Sequence, residues 1–180
     1  MEPLAAALGP WHEFYTLLGT ASATMVGLLF VAATVAGGVF SASRRAAQRV
    51  FLSASVVNFS LILAVSLIVL APVRTWVLLG VMIMGCGLFG LVHSGLACVD
   101  TVRDGMIKRI DLEDRTWYIA FPIVGYMCVV ASGVVLALGP RVGRPDIGCA
   151  ALAVSAGVLL AVGVHNAWDI TVWSITRRQD

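Results

Sequence analysis

The chain has 180 residues, of which 59% are hydrophobic and only 12% charged, where a water-soluble domain carries about 25% charged residues. That shortfall of polar cover excludes a soluble globular protein, and a net charge of +2 leaves no electrostatic footprint for nucleic acid. The composition implies an all-α integral membrane protein, one domain over residues 1–180.

A hydrocarbon core about 30 Å thick takes about 20 apolar residues in helical form. In chain order, five segments meet that length: Phe14–Phe40, Val50–Ala71, Thr75–Val99, Trp117–Leu138 and Ile147–Ile175. The N-terminal stretch "MEPLAAALGPWHE" holds acidic residues but no Lys or Arg, unlike the basic start of a secretory signal. At its end His12 and Glu13 fall at the outer mouth of the first span. They suit interfacial anchoring first, and cation binding or pH sensing second. The separators "SASRRAAQR", "APVRT" and "GPRVGRPDIG" read as loops, from their charge, proline and glycine. The longer "DTVRDGMIKRIDLEDR" suits a short interfacial helix or a solvated turn. Pro122, Gly125 and Gly133 predict a bend or close packing in the fourth span.

Lys and Arg set the orientation. With the N-terminus outside, Arg44, Arg45, Arg49, Arg103, Lys108, Arg109, Arg115, Arg177 and Arg178 fall inside, against Arg74, Arg141 and Arg144 outside. The expected topology is five spans, N-terminus out and C-terminus cytoplasmic. Trp11 and Trp76 fall at the outer interface, and Trp117, Trp168 and Trp173 at the inner one. The four cysteines have no paired short spacing, so they read as small apolar residues and not as a zinc site or disulfide framework.

Helices in lipid associate through small residues that let backbones approach. The first span carries Gly19, Ala23 and Gly27 at four-residue spacing, with Thr16, Thr20 and Thr24 on an adjoining stripe; together they form a candidate packing or pore face. The third span offers Cys86, Gly90 and Ser94. In the fifth, Cys149, Ala153, Gly157 and Ala161 lead on to His165 and Asp169, which are expected on the same protein-facing seam. His93 and His165 lie equally far into two parallel spans, and Asn58 reaches a similar level from the second. One layer near the cytoplasmic side is therefore expected to gather Asn58, His93, His165, Asn166 and Asp169. Ionisable residues within a span are a functional-site hypothesis by default. The competing expectation is that His165 and Asp169 sit among lipid headgroups beside Trp168 and Trp173.

"WHEFYTLLGTASATMVGLLFVAATV" and "HNAWDI" resemble parts of a loosely defined group of small, uncharacterised bacterial multi-spanning inner-membrane proteins. The resemblance covers the first span and the end of the last. It implies a bacterial inner-membrane location and carries over no catalytic or binding residue.

No nucleotide loop, zinc-protease pair, nucleophile elbow or redox cysteine pair is present, so no enzyme is expected. The sequence points first to a small oligomeric channel or transporter for an ion or small solute, its path lined by the threonine stripe or the inner polar layer. A non-catalytic membrane subunit or modulator that binds partner helices is the alternative. A b-type haem ligated by His93 and His165 is a third, minor one; otherwise no cofactor and no metal are expected. The expected associations are with lipid, with copies of the chain, and with a partner membrane protein.

Overall fold

Runs of Ala, Leu, Val and Gly favour helix in lipid, because every backbone N–H and C=O must be satisfied within its own segment. The computed structural model of the chain, which describes residues 4–37, 42–103, 116–142 and 145–176, is helical apart from the linker at residues 71–75. A short helix α1 (Leu4–Leu8) and a 3₁₀ turn (Gly9–Trp11) lead into α2 (His12–Gly37), followed by α3 (Ala42–Leu70) and α4 (Trp76–Arg103). A wider, π-type turn (Thr116–Ala120) opens α5 (Phe121–Val142), and α6 (Pro145–Thr176) ends the described chain.

Among the described residues, four helical stretches are long and apolar enough to cross a membrane: Leu4–Thr34, Trp76–Val99, Thr116–Gly139 and Asp146–Asp169. The apolar part of α3, Ala54–Leu70, is shorter. The chain is a multi-pass helical membrane protein.

Two separators read from the sequence as loops are helical over their described residues. Residues 42–50 of "SASRRAAQRV" belong to α3, because Ala, Arg and Gln are strong helix formers whose charge does not interrupt a helix. Likewise α5 runs on through Gly139 and Pro140 to Val142. The "APVRT" linker stays non-helical, and Thr75 caps α4, its Oγ1 accepting from the Leu78 N–H at 3.2 Å. Most of the long charged separator, with Lys108, Arg109 and Arg115, lies outside the described residues.

Helices α3, α4, α5 and α6 close into a ring in which each packs on the next, and α2 lies outside that ring against α3, touching α6 as well. The tightest seam joins α4 and α5. A methyl group on Gly80 would stand 2.5 Å from the Gly133 carbonyl, and one on Gly133 would stand 2.8 Å from the Gly80 carbonyl. Gly87 faces the Val130 backbone in the same way, and Gly90 takes the Tyr126 ring. Of the ridge expected on the third span, Gly90 is a close contact, whereas Cys86 and Ser94 are only half-buried.

The long ridge expected on the fifth span behaves differently. Cys149 and Ala153 are buried, Gly157 is half-buried with open space before it, and Ala161 is exposed. Four residues advance a helix by about 400°, so each step drifts about 40° and His165 ends about 160° from Cys149. The buried seam instead alternates threes and fours: Cys149, Leu152, Ala156, Leu159, Gly163, Asn166.

Between the ring helices the space is narrow. An apolar void of about 10 Å³ is lined by Leu61, Ile62, Val65, Cys86, Tyr126, Val129, Ala156 and Leu159. That is about the room a single water needs, and the wall offers few of the two to four polar partners that water would want.

Candidate functional site

The inner polar residues form two separate stations instead of one layer. The first is Asn58, on the buried side of α3 and 8% exposed. Its Nδ2 donates to the Leu159 carbonyl of α6 at 3.0 Å, and its Oδ1 accepts from the Tyr126 hydroxyl of α5 at 2.8 Å. One amide thus ties three helices together. Gly163 makes this possible: a Cβ there would lie 2.5 Å from Asn58 Nδ2 and 2.9 Å from the Phe59 ring. Both ends of the amide are satisfied, as a buried polar group requires. Tyr126 was not singled out in the sequence; the signal was a phenol in mid-span, whose hydroxyl needs a partner when its ring is buried.

The second station lies at the far end of α6. From Pro145 to His165 the helix rises about 30 Å, the thickness of a hydrocarbon core. His165 Nε2 stands 3.3 Å from Asp169 Oδ2, and the two side chains are 34% and 39% exposed. The His165 ring lies on Trp117, with centroids 3.9 Å apart and planes 30° apart. Trp117 in turn meets Phe121 at 4.9 Å.

Asn166, buried beside His165, donates from Nδ2 to the Trp117 carbonyl at a long 3.4 Å. Its own carbonyl accepts from the Tyr118 hydroxyl at 3.3 Å. The local sequence explains the first bond. In a π-type turn the carbonyl of residue i pairs with the N–H of residue i+5; for Trp117 that residue is Pro122, which has no N–H. Asn166 gives that carbonyl a donor from another helix. Its Oδ1, like Tyr15 Oη and Ser22 Oγ, is buried without a hydrogen-bond partner. Trp117 reads from the sequence only as an interfacial aromatic, Tyr118 is not marked at all, and no spacing rule brings either to α6.

The remaining candidates stand apart from both stations. His93 is half-buried on α4, a helix that packs broadly on α5 and α3. His165 is on α6, which packs broadly on α5 and α3 but not on α4, so α5 lies between the two histidine-bearing helices. Among the described residues no three His, Cys, Asp or Glu side chains gather as a metal site.

On α2, His12 and Glu13 are exposed. Thr16, Thr20, Ala23, Thr24 and Gly27 are exposed too, and only Gly19 is buried, its position 3.1 Å from Ser66 Cβ if a Cβ were added. Each threonine hydroxyl donates to the carbonyl four residues back at 2.8 Å: Thr16 to His12, Thr20 to Thr16, Thr24 to Thr20. The stripe therefore faces away from the bundle with its donors already used. Comparison with family models, with curated proteins and with solved structures returned no match.

Proposed function

We propose that the chain is a non-catalytic subunit of a bacterial inner membrane, with five spans and its C-terminus cytoplasmic, that works by associating with further copies of itself through the outward face of its first span. The observation that carries this reading is the closed interior. The Asn58 amide is spent on Tyr126 and Leu159, and the space at the centre of the ring is small and apolar. So small a void between the ring helices supports action at the surface over a path through the bundle.

That surface is mostly bulky and apolar, as lipid requires. On α2, however, Thr16, Thr20, Ala23, Thr24 and Gly27 leave a shallow strip, and nothing lies within 4 Å of where a Gly27 side chain would be. Helices in lipid meet best at such strips. Counting subunits by single-molecule photobleaching in vesicles tests the reading: wild type is expected to associate, and Ala23→Leu to shift the count toward one by overfilling the contact. Single subunits in wild type would rule it out.

Channel function is the second reading, favoured by the threonine column and by His12 and Glu13 exposed at its end. Copies meeting on this face would place the column along a shared path between subunits. Ion flux into proteoliposomes separates the two readings. Flux abolished by Ala23→Leu supports a path at the contact, and associated subunits without flux leave the first reading alone.

A further inference from the structure

Two arginines stand at one end of the seam between α4 and α5. A Cβ on Gly80 would lie 2.6 Å from the Ala137 nitrogen, and one on Gly87 would lie 2.9 Å from the Val130 nitrogen. The two helices therefore run antiparallel in a fixed register. Carried toward the start of α4 at about 1.5 Å per residue, that register sets the first turn of α4 level with the last turn of α5. Arg74, directly before the Thr75 cap, and Arg141, in the last turn of α5, share that level, and both are exposed.

Burial shows which flank of the seam faces outward. On α4, Leu79 and Ile83 are buried on one side of Gly80, while Val77 and Val81 are exposed on the other. On α5, Val129 and Leu136 are buried and Val134, beside Gly133, is exposed. Arg141 follows Val134 by seven residues, about two turns, so it tops the same outward flank. Because glycines draw the two backbones together, that flank is a furrow with short valine walls. It leads from the arginines down along the apolar surface.

We propose that this end of the α4–α5 seam binds an anionic phospholipid, with its phosphate at Arg74 and Arg141 and one acyl chain along the valine furrow. Each guanidinium offers a planar fork of donors that matches a phosphate. Among the described residues neither arginine is paired with an acid. Asp146, the nearest acidic group in the chain, opens α6, which meets α5 at Leu136 through Gly148. Leu136 is about 140° around α5 from Arg141. Glu13 and His12 are on α2, which packs chiefly on α3. A zwitterionic headgroup would bring its own cation toward two fixed ones, whereas an anionic one would not. The site belongs to α4 and α5 and is independent of how subunits associate through α2.

Native mass spectrometry of the full chain in detergent, offered phosphatidylglycerol and phosphatidylcholine together, tests the site. In wild type the first lipid retained is expected to be phosphatidylglycerol, several-fold over phosphatidylcholine. Arg74→Gln with Arg141→Gln should abolish that preference, whereas Arg177→Gln with Arg178→Gln should keep it. Val134→Trp, which fills the furrow, should weaken retention with both arginines intact, and inorganic phosphate should not displace the lipid. Equal retention of the two lipids in wild type, or an equal loss in the two arginine pairs, overturns the proposal. Displacement by inorganic phosphate, with Val134→Trp indifferent, would assign the arginines to a free anion and overturn it too. Should the first double variant not fold, an unchanged preference in Arg74→Gln and in Arg141→Gln taken singly overturns it equally.

Discussion

Asn58 spends both ends of its amide within the protein, and that decides how it responds to substitution. Tyr126→Phe strands Asn58 Oδ1, while Asn58→Ala strands the Tyr126 hydroxyl; each leaves a buried polar group unpaired. Removing both partners removes the conflict. A double-mutant cycle of Asn58→Ala and Tyr126→Phe, followed by unfolding in detergent, is expected to cost less than the sum of its single variants. The coupling should be about 0.6 kcal/mol and at most about 1.7, the range for side-chain hydrogen bonds between membrane helices. Strict additivity would mean that the two side chains do not act together. The sequence marked Asn58 because a polar amide inside an apolar run is conspicuous. It did not mark Gly163, since the need for a missing Cβ arises only when another helix brings an amide to it.

Glycine has opposite consequences at different places on one element. On α4, Gly80 and Gly87 touch the α5 backbone, whereas Gly85 has nothing within 4 Å. Gly80→Ala and Gly133→Ala are each expected to destabilise by about 1–3 kcal/mol, the cost of overfilling a packed contact. Gly85→Ala should be neutral or stabilise by up to about 1 kcal/mol, because alanine loses less backbone entropy in a helix. Unfolding midpoints in one detergent check both signs; equal effects at Gly80 and Gly85 would contradict the seam. The existence of apolar helices was legible in the sequence because length and hydropathy suffice for it. Their contact faces were less so. A run of small residues four apart looks like one stripe on paper but winds off the face, as Ala161 does. The seam that binds most closely, Gly80–Gly87 against Gly133, mixes threes, fours and sevens, and depends on which helix stands opposite.

At the scale of the molecule, the asymmetry of Lys and Arg predicts the side of each end. On that expectation Arg44, Arg45 and Arg49 fall on one side with Arg177 and Arg178, and Arg74, Arg141 and Arg144 on the other. A reporter fused after Asp180 is expected to read cytoplasmic, and one inserted between Arg141 and Arg144 to read external. A C-terminal fusion that reads external would overturn the five-span arrangement. The single inner layer expected from equal depths along the chain is divided, because depth says nothing of azimuth. His93 and His165 stand on helices with α5 between them, and Asn58 turns toward Tyr126 instead of either histidine.

The Asn58–Leu159 bond joins residues 101 positions apart, and this bears on the order in which the protein is built. Sequence neighbours α2 and α3 pack on each other, so that pair can form as soon as both helices are in the membrane. The ring cannot, for it needs α6, which follows α5 in the chain. Until it arrives, Asn58 lacks its carbonyl acceptor, and the Trp117 carbonyl lacks the Asn166 donor. Without α6 the Asn58 Nδ2 would have no acceptor from that helix, and an unpaired polar group in lipid costs several kcal/mol. Closure of the ring therefore waits on α6, whose docking covers the Asn58 amide and brings Asn166 to Trp117.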